Sequence, residues 1–96
     1  MPSFRVIVAV GALRPGVRPD AIVPAAADAV AERTVVEASS VDVVAGEARV
    51  TVRFTADGVD DAIPVAEHAV ARLRELAQTG AWRLTERVGG RWFRRA

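Results

Sequence analysis

Apolar residues recur along this chain at two different periods, and the periods alternate. Phe4, Val6, Val8 and Val10 repeat every second residue, whereas Ile22, Val23, Ala26, Ala29 and Val30 follow a helical stripe. Val41 and Val43, then Val50, Val52 and Phe54, return to a spacing of two. Ile63, Ala66, Val70, Leu73 and Ala77 are helical again, and Trp82 and Leu84 close the series at a spacing of two. A strand sends successive side chains to opposite faces, and a helix returns to one face every 3.6 residues. The pattern therefore predicts β-α-β-β-α-β.

Local signals place the boundaries. Strand 1 is expected over Phe4–Val10, followed by a Gly- and Pro-rich loop, Gly11–Pro19. Asp20 is a candidate N-cap for a helix to about Arg33, with Pro24 in its first turn. Strand 2, Val35–Ala45, changes phase between Val36/Ala38 and Val41/Val43, which predicts a bulge at Ser39-Ser40. Gly46-Glu47 is the expected hairpin turn, pairing Val43 with Val50 and Val41 with Val52. Strand 3 spans Ala48–Ala56. The second helix should run from Asp60 or Asp61 to Ala77, with Gly80 just past its end. Strand 4 is Trp82–Val88, and Gly89-Gly90 leaves room for a short fifth strand, Arg91–Arg94.

The 96 residues suit one domain, and 51% hydrophobic with 26% charged residues is a globular balance. Alanine and valine supply most of the apolar content, so helices and sheet must pack closely. There is no cysteine, which removes disulfides, thiol nucleophiles and thiolate metal sites. The N-terminal residues lack a signal-peptide layout, and Val6–Val10 is too short to span a membrane, so no membrane association is expected and the default location is the cytoplasm.

Right-handed crossovers turn the β-α-β-β-α-β order into one antiparallel sheet with both helices on one face. This α+β arrangement resembles the ferredoxin-like sandwich, a four-stranded sheet in the order 4-1-3-2. The resemblance is architectural and covers almost the whole chain. It implies no activity, because unrelated functions share the fold.

All 13 basic residues are arginine, a usage that a GC-rich coding sequence produces by itself. Their placement is not explained that way. Arg5, Arg49, Arg53, Arg83 and Arg87 fall on the strand parity opposite the apolar set, and Trp92 faces Arg87 if the last two strands form a tight hairpin. Five arginines should thus share the outer sheet face. Guanidinium forks bind carboxylate and phosphate and stack on aromatic planes. The face is expected to meet a partner, a second copy of the chain or an anion. Nucleic acid is the weaker alternative, because RNA-binding sheets stack bases on exposed aromatics that the central strands lack. A mixed open face also resembles those of dimeric α+β barrels, in which two sheets enclose a small-molecule pocket.

The Gly11–Arg18 loop is a second candidate. Arg14, Gly16 and Arg18 precede a helix N-terminus, where anions bind. The position is similar to the arginine-bearing loop of acylphosphatases, but a chain without asparagine lacks their catalytic residue. His68 is expected on the exposed side of the second helix and has no partner for a metal site. Asp57, Asp60 and Asp61 are expected to cap that helix. The aromatic and basic run Arg91–Arg95 suits docking on a partner or a neighbouring subunit. No nucleophile–base pair, metal set or cofactor motif is evident. The expected function is therefore a small, non-catalytic interaction module that forms a homo-oligomer, a dimer being favoured, or binds a protein partner.

Overall fold

The computed structural model describes all 96 residues, Met1–Ala96. The chain is α+β. In order it forms β1 (Ser3–Leu13), a 3-10 turn (Pro19–Ala21), α1 (Ile22–Ala31), β2 (Val36–Val44), β3 (Glu47–Thr55), α2 (Val59–Leu76), β4 (Ala77–Val88) and β5 (Arg91–Arg94). The five strands make one sheet in the order β2-β3-β1-β4-β5, and every neighbouring pair is antiparallel. Strand count and edge-to-edge order thus differ from those of a four-stranded sheet, because the short fifth strand for which the sequence left room at Arg91–Arg94 does form and adds an edge beyond β4. No helix is long and apolar enough to cross a membrane.

One face of the central strands carries the core. Phe4, Val6 and Val8 of β1, Val50, Val52 and Phe54 of β3, and Leu84 of β4 are buried together. Phe4 and Phe54 lie opposite each other and stack at 6.0 Å between ring centroids. Both helices cover this face with small residues. Ala26, Ala29 and Val30 of α1 and Ala62, Ala66, Ala69, Val70 and Leu73 of α2 are buried. Alanine at these positions lets helix and sheet backbones approach closely, so dense packing substitutes for large side chains.

Several sequence expectations are corrected. The Gly11–Pro19 loop is shorter than its composition suggests, because β1 continues to Leu13 and pairs with Ala77. Likewise α2 ends at Leu76, and Ala77 passes directly into β4 with extended backbone, so Gly80 is a strand residue and not a helix terminator. Pairing over the extra length satisfies backbone groups that a loop would leave to water. A Cβ on Gly80 would lie 3.3 Å from that of Ala9, which explains a small residue inside a strand.

Asp20 sits inside the 3-10 turn and makes no cap hydrogen bond to α1. Gly58 is the N-cap of α2, also without a side-chain cap, so Asp60 and Asp61 contribute only charge to the first turn. The β2–β3 turn is Ala45-Gly46, with φ of 53° and 78°, the conformation of a two-residue hairpin loop. It pairs Val41 with Val50 and Val43 with Ala48, two residues from the expected register but on the same faces. The β2 irregularity lies between Val36 and Ala38 and not at Ser39-Ser40. Val41 and Val43 point to the helix side of the sheet, yet they are exposed, because no helix reaches over that end of β2. Gly89-Gly90 turns β4 into β5 and places Arg87 opposite Trp92 and Glu86 opposite Phe93.

Candidate functional site: the outer sheet face

Pairing brings the arginines together. Arg5 on β1 lies between Arg53 on β3 and Thr85 on β4. One pair further along, Ile7 lies between Thr51 and Arg83, and then Ala9 faces Arg49. Arg5 and Arg53 are directly opposed, a position where like charges repel unless something intervenes.

Trp92 and Glu37 intervene. The Arg5 guanidinium carbon sits 3.8 Å from the Trp92 ring centroid, and that of Arg53 sits 5.3 Å away. A tryptophan face attracts cations within about 6 Å. Arg53 also donates from Nε to Glu37 Oε1 at 3.2 Å, and Ser3 Oγ donates to the same oxygen at 2.6 Å. The irregularity in β2 falls at Glu37 and directs this carboxylate onto the arginine face. The hydroxyl hydrogen bond from Ser3, followed by Arg53, holds the Glu37 carboxyl below its ordinary pKa. Arg5 is also lowered, first by burial and then by the neighbouring Arg53 and Arg87 charges. Positive charge is thus more crowded here than its internal partners relieve.

Beside this stack the sheet encloses an open concavity of about 400 Å³. Arg5, Arg49, Arg53 and Arg83 lie around it, Ile7 and Thr51 contribute to its lining, and Ser40 and Asp42 of β2 line one side. Asp42 is the single carboxylate of the lining. Arg49 is partnered by Glu47 at 3.2 Å, while Arg83 makes no ion pair or side-chain hydrogen bond. Arg87 is also without such a partner and lies nearer Trp92. Arg94, which the sequence placed only in the terminal basic run, lies opposite Thr85 and adds a further cation to this face. Its alternation with Trp92 was the available signal.

The loop arginines are engaged elsewhere. Arg14 donates from Nε and Nη2 to the Arg74 carbonyl at 3.2 and 2.9 Å, closing the C-terminal turn of α2. Arg18 forms a two-point pair with Asp20, and Gly16 serves the turn with a φ of 83°. Arg14 is thus held by a backbone carbonyl, whereas the Arg18 side chain stays largely exposed beside Asp20. His68 is less exposed than its wheel position implied. It lies 2.9 Å from Glu32 Oε1, and Arg72 Nη2 donates to both oxygens of the same carboxylate at 3.0 Å. The cluster fastens the end of α1 to the middle of α2. Phe93 remains exposed under Arg95.

Compared with known proteins, the chain matches no family model, no curated protein and no solved structure.

Proposed function

We propose that the chain is a non-catalytic interaction module whose outer sheet face receives the carboxylates of an acidic protein partner. One observation carries this reading: four arginines surround a single concavity whose lining holds one carboxylate. Arginine forks pair bidentately with carboxylates, and the apolar floor at Ile7 lowers the competition from water. The shape, taken without β5, is read as a ferredoxin-like sandwich, on the grounds of its β-α-β-β-α-β order and its helices packed behind one face. A cytoplasmic location belongs to the same proposal, since a cysteine-free chain gains nothing from an oxidising compartment.

Two other occupants are less well supported. Trp92 is the aromatic side chain on this face, and Arg5 already covers its ring, so bases find no free stacking platform. A second copy docked face to face, as in an α+β barrel, would set arginine against arginine.

A labelled glutamate-rich peptide provides the test, with a single-stranded RNA of matched length as comparison. The native chain should bind the peptide, with affinity falling as salt rises. The Arg49→Glu/Arg53→Glu variant should weaken binding at least tenfold. Equal affinity of variant and native chain sinks the proposal, and preferential RNA binding replaces it.

A further inference from the structure

The two edges of the sheet are built differently. β5 is short, Arg91–Arg94, and carries an arginine at each end, which discourages another strand from pairing with it. β2 is long, Val36–Val44, with no proline, lysine or arginine, and almost all of it is exposed. Its two acids, Glu37 and Asp42, lie on the arginine side, and Glu37 is engaged by Arg53 and Ser3. On the helix side Val41 and Val43 are 51% and 74% exposed. A long edge with exposed valines and few charges is a template for strand addition.

We propose that β2 pairs with β2 of a second copy, antiparallel about a two-fold axis, to make one continuous ten-stranded sheet. Backbone direction and charge choose the register. Val44 and Glu47 flank the Ala45-Gly46 turn, so in a two-residue hairpin they exchange hydrogen bonds. Residues alternate from there, which leaves the N–H and C=O groups of Ser39, Val41 and Val43 pointing out of the edge. Centring the axis on Val41 sets the two Val41 side chains opposite each other, Asp42 opposite Ser40 and Val43 opposite Ser39 of the other copy. The serine hydroxyl can donate to the carboxylate. Moving the axis to Asp42 sets the two carboxylates against each other at the closest pair spacing, about 4.5 Å between Cα atoms. Moving it to Ser40 leaves each Val41 against a serine, without the branched cross-strand pair. The Val41 register covers the exposed valines and gives the edge backbone groups partners. It also lays the two arginine concavities side by side, since Ser40 and Asp42 line them.

Light scattering on the native chain should give twice the 10.2 kDa chain mass at micromolar concentration. Val41→Lys/Val43→Lys should return it to a monomer with unchanged circular dichroism. Because the chain has no cysteine, Val41→Cys introduces a single thiol. In the proposed register the two Val41 Cα atoms lie about 5.5 Å apart, within disulfide reach. Oxidised Val41→Cys should cross-link as a dimer much faster than Val43→Cys or Val88→Cys. A native chain that stays monomeric, a dimer that survives the double lysine variant, or equal cross-linking at the three positions overturns the proposal. Should the lysine variant fail to fold, the cross-linking comparison decides.

Discussion

The guanidinium of Arg5 lies 3.8 Å from the ring centroid of Trp92, although the two residues come from opposite ends of the chain and from strands separated by β4. The same ring lies 5.3 Å from the guanidinium of Arg53, the direct cross-strand neighbour of Arg5, so one tryptophan attracts two like-charged side chains. It also ties the β4–β5 hairpin to the centre of the sheet.

Removing that ring should destabilise more than an exposed edge substitution normally does. Trp92→Ala loses both cation–π contacts and leaves two opposed arginines without the ring that attracts them, a combined cost of about 1–2 kcal/mol. Urea denaturation should show a lower midpoint with a similar slope. Trp92→Phe should recover part of the loss, since a phenyl face holds a cation more weakly.

Acid stability should depend on Glu32. The His68 hydrogen bond, followed by that from Arg72, holds its carboxyl below the ordinary value. A carboxyl depressed in the folded state contributes stability above its unfolded pKa, about 4.3, and loses it as pH falls through the folded value. Glu37 is depressed in the same direction. The melting temperature of the native chain should therefore fall more between about pH 5 and pH 3 than that of Glu32→Gln/Glu37→Gln. Parallel melting curves for the two proteins across that range would refute the assignment.

Thr85 is 9% exposed on the arginine face, and its Oγ1 has no hydrogen-bond partner. A buried unpartnered hydroxyl costs free energy that an isosteric methyl avoids. Thr85→Val should raise stability by roughly 0.5–1 kcal/mol, measured by the same denaturation. A destabilised variant would mean that the hydroxyl is used.

Ala45 occupies the left-handed region at φ 53°, where a Cβ is strained. Asparagine tolerates that conformation, and Asn-Gly is the preferred pair for this turn. Ala45→Asn should stabilise the β2–β3 hairpin by about 0.5–1 kcal/mol. Exchange of the hairpin amides should slow accordingly.

Period-two alternation makes the sheet faces legible in the sequence. Arg5 and Arg53 share a face because each is one residue from buried neighbours, whatever the strand order. Turn position was less legible. Gly46 marked the hairpin, but a single glycine admits two frames, and Ala45 in an unfavourable conformation was needed to choose between them. The Gly11–Pro19 stretch reads as a loop from composition, and Gly80 as a residue just past the helix end. Gly11–Leu13 and Ala77–Gly80 instead extend β1 and β4, because the two segments pair with each other, a long-range event that local propensity does not contain.

The sequence alone determined which side chains face together, because parity along a strand is a local property of the backbone. It also placed Ala26, Ala29 and Val30 of α1 and Ala66, Val70 and Leu73 of α2 on the core side, but it missed Ala62, Val65 and Ala69, which are buried where Ile63 is only partly so. Only the tertiary structure decided what those side chains meet. Burial of Val41 and Val43 depended on how far the helices extend across the sheet, and they stop short of that end of β2. The contact of Arg14 depended on where α2 ends, since its fork donates to the Arg74 carbonyl in that last turn. Trp92 reaches Arg5 only because two glycines fold β5 back along β4. Such contacts join residues far apart in the chain, and chain order alone does not specify them.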